Sequence, residues 1–405
     1  MAAPATSRVP TTSWNPFDPD SIRDPYPAYR RLRDEAPVAF SPAIQCWLVS
    51  RHADVEALFL DPNGFSNAAM AATLGGEGGP KTGASTGQVL QTTDPPEHDE
   101  LRRIVNRGFT PRSMAAMQPL VREVVHDGIA QALAAPHGAI VDLVPLLSAR
   151  VPVAPIAELL GIERARQDDF RRWSDAIAES IWAKGGRDAA VEVAELDAYL
   201  DRIVAEKQRS PGPDVISKLI HAAEDDAGVL RPGEIHHFVT SLLVAGTETT
   251  ANLISNCALE LVRSREVADA VAADRALVPA FVEEVLRHNG PVQLLMRRTT
   301  TARELAGVAI PAGAMVFPIL GSANRDERRF RDPDRFDLGR EDRAHLGFGQ
   351  GVHFCLGASL ARLEAHEAVE ALLDVRSELE WLDEPYENVP ALMMRGPRRL
   401  RFRRR

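Results

Sequence analysis

The sequence predicts a mainly α-helical protein with a small β region, and three observations carry that expectation. Apolar residues recur at helical spacing through most of the span from Glu97 to His288. Strand-like runs are few and short, confined to the first fifty residues and to the stretch after Leu294. The third is the run Phe348-Gly349-Gln350-Gly351-Val352-His353-Phe354-Cys355-Leu356-Gly357, which feeds one cysteine into a helix-forming stretch, Leu356 to Leu373.

Taken in order, Pro27 to Arg33 reads as a first helix, and Cys46 to Val49 as a strand paired with the Val38 to Phe40 run. From Pro62 to Pro95 the chain turns to Gly, Ala, Ser and Thr, including Gly75-Gly76-Glu77-Gly78-Gly79-Pro80. A long irregular stretch of this kind is either a binding loop or a disordered surface insertion. Asp168 to Ala183 and Ala189 to Lys207 are two amphipathic segments separated by Gly185-Gly186, the pattern of a helical hairpin. Next comes a helix beginning at Pro232, apolar around much of its circumference from Ile235 to Val262, which predicts a buried central helix. Short β pieces follow at Val308 to Ile310 and Ala314 to Leu320, then an Arg- and Asp-rich irregular stretch leads to the cysteine loop. No internal repeat is visible.

A length of 405 residues allows two or three domains, yet no linker divides the chain, so one domain over 1–405 with a flexible start over 1–14 is expected. Hydrophobic residues make up 45% and charged residues 26%, the proportions of a soluble globular protein. The net charge of -10 argues against a general nucleic-acid binder. Arginines nevertheless cluster at Arg102, Arg103, Arg107 and Arg112, and again from Arg395 to Arg405, where a solvated basic tail is expected. Cys46, Cys257 and Cys355 have no paired spacing, which suits a reducing cytoplasm better than a disulfide framework or a zinc site. Met1 to Asp18 holds no apolar run, and no later stretch approaches the roughly 18 apolar residues of a membrane span, so a soluble chain without membrane attachment is expected.

Cys355 stands where the first turn of the following helix directs its unpaired N–H groups and positive dipole end at the sulfur, an arrangement expected to lower the thiol pKa and favour metal binding as a thiolate. Gly349 and Gly351 allow a tight turn and close backbone approach, and Phe348 supplies an aromatic wall. Together they suit a haem. Inside the central helix lies Ala245-Gly246-Thr247-Glu248-Thr249-Thr250, polar where packing alone favours Leu or Val. Threonine hydroxyls compete for backbone carbonyls, so the helix is expected to open or bend here and hold a ligand or water. Thr249 offers a hydroxyl and Glu248 a carboxylate able to relay protons; the alternative is a Thr-rich face with Glu248 in solvent. Glu284 and Arg287 have i, i+3 spacing, as surface ion pairs commonly do. His98 and Arg102, one helical turn apart after Asp94-Pro95-Pro96, either donate together to an anion or are simply structural. Arg297, beside an apolar run, suits pairing with a buried or ligand carboxylate.

In their order along the chain these residues resemble the cytochrome P450 superfamily, in its soluble bacterial form. The Phe348 to Gly357 loop resembles the haem-ligand signature, Ala245 to Thr250 the oxygen-activation motif, Glu284 to Arg287 the Glu-x-x-Arg motif, and Asp332-Pro333-Asp334-Arg335-Phe336 the meander after it. The resemblance implies a triangular helical prism of a single domain, with haem b (iron protoporphyrin IX) buried between the central helix and the cysteine-loop helix. It implies Cys355 as the proximal iron ligand, its thiolate favouring O–O cleavage, and His98, Arg102, Arg297 and His353 as partners of the haem propionates. Thr249 and Glu248 are implied as the catalytic proton-delivery pair, and Glu284, Arg287 and Arg335 as a buried scaffold network. Glu248 stands where aspartate is also frequent, and Pro397-Arg398-Arg399-Leu400 replaces a more apolar end.

The function implied is a haem-thiolate monooxygenase that oxidises an apolar small molecule such as a fatty acid, terpenoid, steroid or macrolide. Three cysteines cannot hold a four-cysteine cluster and no Gly-x-Gly-x-x-Gly run follows a strand, so two electrons are expected from an external ferredoxin or flavodoxin-type donor with its reductase. A basic side near Arg102, Arg103, Arg107 and Arg112 is the expected docking face for that donor, and the enzyme is expected to be a monomer. The expected pocket wall comprises the Pro62 to Pro95 loop, Phe170 to Lys184, Leu242, Ala245, Val292 to Met296 and Leu392 to Met394, apolar and methionine-rich. The rival readings are a peroxide-driven haem-thiolate enzyme and a non-catalytic haem-binding protein, neither of which needs Thr249 and Glu248.

Overall fold

Apolar periodicity becomes helix over most of the chain in a computed structural model that describes residues 9–68, 90–182, 188–225, 232–382, 386–389, 391 and 393–405. Helices α1 (Pro19–Arg23) and α2 (Tyr26–Glu35) precede strands β1 (Val38–Ser41) and β2 (Cys46–Val49), paired antiparallel with Val38 opposite Val49. Of the expected flexible start, 1–8 lie outside the described residues. Pro10 and Thr12 hydrogen-bond to the backbone of Phe40, and Trp14 is buried. Helix α3 (His52–Leu60) follows β2 after only two residues and was not foreseen; it buries Val55, Leu58 and Phe59. Strand β3 (Phe65–Ser66) leads into the irregular stretch, of which 69–89, with Gly75 to Pro80, lie outside the described residues.

Helix α4 (Glu97–Asn106) begins with Glu97, Asp99 and Glu100, carboxylates that complement the positive end of its dipole. Helix α5 (Pro111–Leu133) starts with proline at its first position and Thr110 as cap, the Thr110 hydroxyl accepting from Ser113 N–H at 3.1 Å. After β4 (Ile140–Asp142) come α6 (Val153–Leu160), α7 (Gln167–Trp182), α8 (Ala190–Arg209) and α9 (Val215–Asp225). Helices α7 and α8 pack on one another as the hairpin pattern requires, while the Gly185-Gly186 turn lies outside the described residues.

The central helix is α10, 32 residues from Pro232 to Arg263. Its first half packs Ile235, Phe238, Val239 and Leu243 against α6 to α9, and its second half packs Leu253, Ile254, Cys257 and Leu259 against α5, α12 (Val278–His288) and α14 (Ala358–Asp374). Between these come α11 (Arg265–Ala273) after α10, and α13 (Leu320–Ala323) before α14. One helix thus joins both large apolar clusters, which explains why it is apolar nearly all round.

The β region is modest. Strands β5 (Arg297–Thr299), β6 (Arg303–Leu305), β7 (Val308–Ile310) and β8 (Met315–Pro318) precede β9 (Leu379–Trp381) and β10 (Arg401–Arg404). The largest sheet runs β1-β2-β8-β5-β3, with β2 and β8 parallel (Trp47 opposite Val316) and Arg297 of β5 opposite Val316. The Arg-rich end is not a loose tail: β10 lies between β4 and β9, Phe402 is buried, and Arg403, Arg404 and Arg405 face Glu380 and Glu378. Among the described residues no helix is long and apolar enough to cross a membrane.

Candidate active site

Cys355 lies three residues before α14, so the helix starts two residues later than its composition suggests. Cys355 N–H donates to the Phe348 carbonyl at 2.9 Å, closing the loop on itself. Gly349 and Gly351 both have φ of 71°, and a Cβ at Gly351 would sit 2.5 Å from the Phe59 carbonyl oxygen of α3. These are the positions where glycine is required. Cys355 is only partly covered and lines a cavity, but protein packs around it, and that burial pushes the thiol up. Backbone N–H groups of Gly357 and Ala358 and the charges of Arg102 and Arg362 oppose the rise without overcoming it. The lowered thiol pKa expected from the sequence is therefore not found in the protein alone; a metal ion deprotonates a coordinating thiol outright.

Thr249 and Thr250 of α10 line the same cavity as Cys355. Thr249 Oγ1 donates to the Ala245 carbonyl at 2.7 Å and Thr247 Oγ1 to the Leu243 carbonyl at 2.8 Å. The helix does not open: it is continuous from Pro232 to Arg263, because each carbonyl has a second lone pair for the hydroxyl beside its ladder bond. Gly246 keeps it close to α6, since a Cβ there would meet Ile156 Cδ1 at 2.3 Å. Glu248 is partly buried on the adjoining face and is not among the residues lining the cavity.

Four basic side chains converge at the cavity's edge. Arg102, Arg297 and His353 line it, and the His98 ring lies 4.1 Å from that of His353. His98 Nδ1 is 3.0 Å from Asp99, whereas Nε2 of both His98 and His353 is buried without a partner. Arg297 is buried over the Phe59 ring, and its side chain donates to the neighbouring Met296 carbonyl. Among the described residues neither Arg102 nor Arg297 forms a salt bridge, and the Asp94 charge reaches Arg297 only at longer range. Burial lowers the Arg297 pKa to about 10, and burial with repulsion from His98, Arg297 and Arg102 lowers that of His353 to about 3. Two arginines and two imidazoles gathered this way, with the Nε2 of each imidazole left without a partner, fit a ligand carrying carboxylates.

The rest of the lining is apolar: Leu242, Ala245, Val292 and Leu295, as expected, with Phe109, Ile156, Leu159 and Val215, which the sequence did not single out. An apolar helix face reads the same whether it meets a core or a cavity. Asn67 and Gln91, in the expected loop, add polarity. The methionine-rich expectation fails among the described residues. Met296 and Met393 pack into the core around Trp14 and Tyr29, Met394 is buried and does not line the cavity, and Leu392 lies outside the described residues. Phe170 is likewise buried in the core rather than in the wall.

The Glu284 and Arg287 pair is fully buried. Arg287 donates to both carboxylate oxygens at 2.8 Å and to the carbonyls of Asn324, Pro333 and Arg335. The expected third member is corrected. The Arg335 side chain is exposed and contributes only its carbonyl, while Arg340, buried, donates to Glu284 at 3.2 Å. Asp332, with φ of 44°, turns the chain so that Arg340 comes back over the pair.

A single thiol facing a largely apolar cavity, a hydroxyl on α10 and basic side chains at the edge, with two imidazole Nε2 atoms left without a partner, fit a flat macrocycle with a central metal and peripheral carboxylates. Comparison with known proteins agrees. The family model described as Cytochrome P450 matches residues 47–375. The chain is 37% identical over 407 residues to cytochrome P450 monooxygenase PikC of Streptomyces venezuelae, covering 98% of this chain and 95% of that one. It is 39% identical over 350 residues to the erythromycin C-12 hydroxylase of Saccharopolyspora erythraea, covering 84% of each. Among solved structures, CYP109E1 from Bacillus megaterium in complex with testosterone superposes with a TM-score of 0.84 at 32% identity, over 96% of this chain and 99% of that one.

Proposed function

The chain belongs to the cytochrome P450 family and is a haem-dependent monooxygenase, and on that footing we propose that it oxidises an apolar molecule of steroid or macrolide size, using two electrons from an external ferredoxin or flavodoxin-type donor. The observation that carries this reading is Thr249 of α10 and Cys355 of the loop before α14 lining one predominantly apolar cavity.

Cys355 Sγ is the protein's ligand to the haem iron, and His98 Nε2, Arg102, Arg297 and His353 Nε2 hold the propionate carboxylates. With carboxylates in place the two imidazoles gain acceptors and the arginines gain counter-charges, relieving the repulsion that depresses His353. Bound haem supplies the iron at which dioxygen is activated, and thiolate ligation favours O–O cleavage. Thr249 Oγ1 holds a proton at the distal wall, parked on the Ala245 carbonyl, and swings from that acceptor to donate into the cavity. Glu248, next along α10, returns a proton to Thr249 from the solvent side. Leu242, Ala245, Val292 and Leu295 exclude water and grip the substrate by area, leaving Asn67 and Gln91 to orient a polar substituent.

Substrate size is supported by the names of the relatives, one for erythromycin and one with testosterone bound. Arg103, Arg107 and Arg112 are exposed, whereas Arg102 turns inward, so three arginines form the basic face that steers an acidic donor. A spectral titration of the ferric enzyme with steroids, macrolides and fatty acids tests the reading. Steroids or macrolides should shift the haem to high spin at low micromolar concentration; a shift by fatty acids alone would overturn the assigned size class.

A further inference from the structure

Glu283 of α12 sits where an arginine and a histidine meet beneath the cysteine loop. Its carboxylate accepts from Arg362 of α14 through two bonds, Nε to Oε1 at 2.6 Å and Nη2 to Oε2 at 2.9 Å, and His345 Nε2 lies 3.1 Å from Oε2. Gly347 N–H donates to His345 Nδ1 at 3.1 Å, so the imidazole carries its proton on Nε2 and donates it to Glu283. The Arg362 guanidinium carbon stands 4.5 Å from the centre of the Phe348 ring, and the Phe348 carbonyl is the acceptor for Cys355 N–H. One carboxylate thus grips the start of the loop through His345 and its aromatic wall through Arg362.

The trio is shielded: the side chains of His345, Glu283 and Arg362 are 3%, 20% and 31% exposed. Burial pushes the Glu283 carboxyl up, but hydrogen bonds from Arg362 and His345 and their charges outweigh it and hold the group at about 2. The pair is therefore ionised at neutral pH. None of the three lines the cavity, so contact with substrate does not explain them. Arg362 is, however, one of the charges that favour the anionic form of the Cys355 sulfur.

We propose that Glu283 and Arg362 are positioning residues that set the electron-donating strength of Cys355, Arg362 by holding a positive charge against the loop and Glu283 by anchoring and partly cancelling that charge. The inference rests on Cys355 being the haem ligand. A cation near the thiolate withdraws electron density and stabilises the reduced, more negative site, which raises the reduction potential; hydrogen bonds and net charge around a ligating sulfur are recognised controls of that quantity. Removing either partner accordingly moves the potential in opposite directions. Mere loosening of the loop moves both the same way.

The experiment is a spectroelectrochemical titration of the haem-loaded enzyme and of Glu283→Gln, Arg362→Gln, the double variant and Arg362→Lys. Glu283→Gln should shift the potential positive, Arg362→Gln negative, the double variant should fall between them, and Arg362→Lys should stay near the parent. Shifts of the same sign, or none in either single variant, overturn the proposal, as does an Arg362→Lys shift as large as that of Arg362→Gln. Should Arg362→Gln load too little haem to titrate, a negative or absent shift in Glu283→Gln overturns it alone. The carbon monoxide spectrum of the same parent preparation separates the two levels: without thiolate ligation the ligand assignment fails, whereas with it and without opposed shifts only this inference fails.

Discussion

Replacing Glu284 by glutamine removes one negative charge and leaves two guanidiniums, Arg287 and Arg340, buried without an acid. The carboxylate it replaces receives two bonds from Arg287 at 2.8 Å, two from Arg340 at 3.2 Å and the Asp337 N–H at 2.9 Å, and the amide can satisfy them at only one of its two positions and without charge. Breaking a buried pair by deleting one partner costs about 3–5 kcal/mol, because the remaining charge stays desolvated. We take ~4 kcal/mol, since the carbonyls of Asn324, Pro333 and Arg335 still receive Arg287. With an unfolding entropy of about 2.1 cal/mol/K per residue, a chain of this length loses about 0.85 kcal/mol per degree, so the melting temperature should fall by ~5 °C. Calorimetry of the haem-loaded enzyme measures this, with Arg265→Gln, which breaks the exposed i, i+4 pair to Asp269, as control at under ~0.5 kcal/mol. A fall for Glu284→Gln no larger than that of the control would refute the claim that the network is a structural strut.

Thr249→Ala should retain haem and substrate binding while product per electron falls severalfold and peroxide rises; an unchanged yield removes Thr249 from proton delivery. Gly351→Ala forces a side chain into left-handed backbone 2.5 Å from the Phe59 carbonyl oxygen, and thermal unfolding should register a loss of about 1–3 kcal/mol; equal stability would show that the loop can move away from α3. For Glu283 the folded pKa, about 2, lies below the ordinary value of 4.5, so the group stabilises the fold above pH 4.5 and that contribution is lost as pH falls toward 2. Stability curves of the parent and Glu283→Gln should converge across that window, and curves that stay parallel contradict the ion pairing.

The chemistry was more legible in the sequence than its supports. Cys355, its two glycines and the polar segment of α10 announce themselves, because each violates what packing or helix propensity would choose. By spacing alone Glu284 and Arg287 looked like a surface pair, and only the family resemblance implied burial; what buries them is the 324–337 stretch and Arg340, which fold back through a turn at Asp332 that local spacing does not encode. Arg340 was lost among many arginines in an irregular stretch for the same reason. The threonines of α10 signalled competition for backbone carbonyls, and the hydroxyl bonds exist, yet the buried helix stays closed because packing on both halves holds it. Met296 and Met393 showed the reverse limit, since an apolar side chain in a short strand or loop carries no mark of which side of the sheet it will pack on.

The central claim is that Cys355 gives its thiolate to a haem iron in the cavity beneath Thr249. The reduced carbon monoxide difference spectrum tests it most directly: the parent should show the strongly red-shifted Soret band of thiolate ligation, and Cys355→His should bind haem without it. Absence of that band in the parent, or its survival in Cys355→His, would contradict the account.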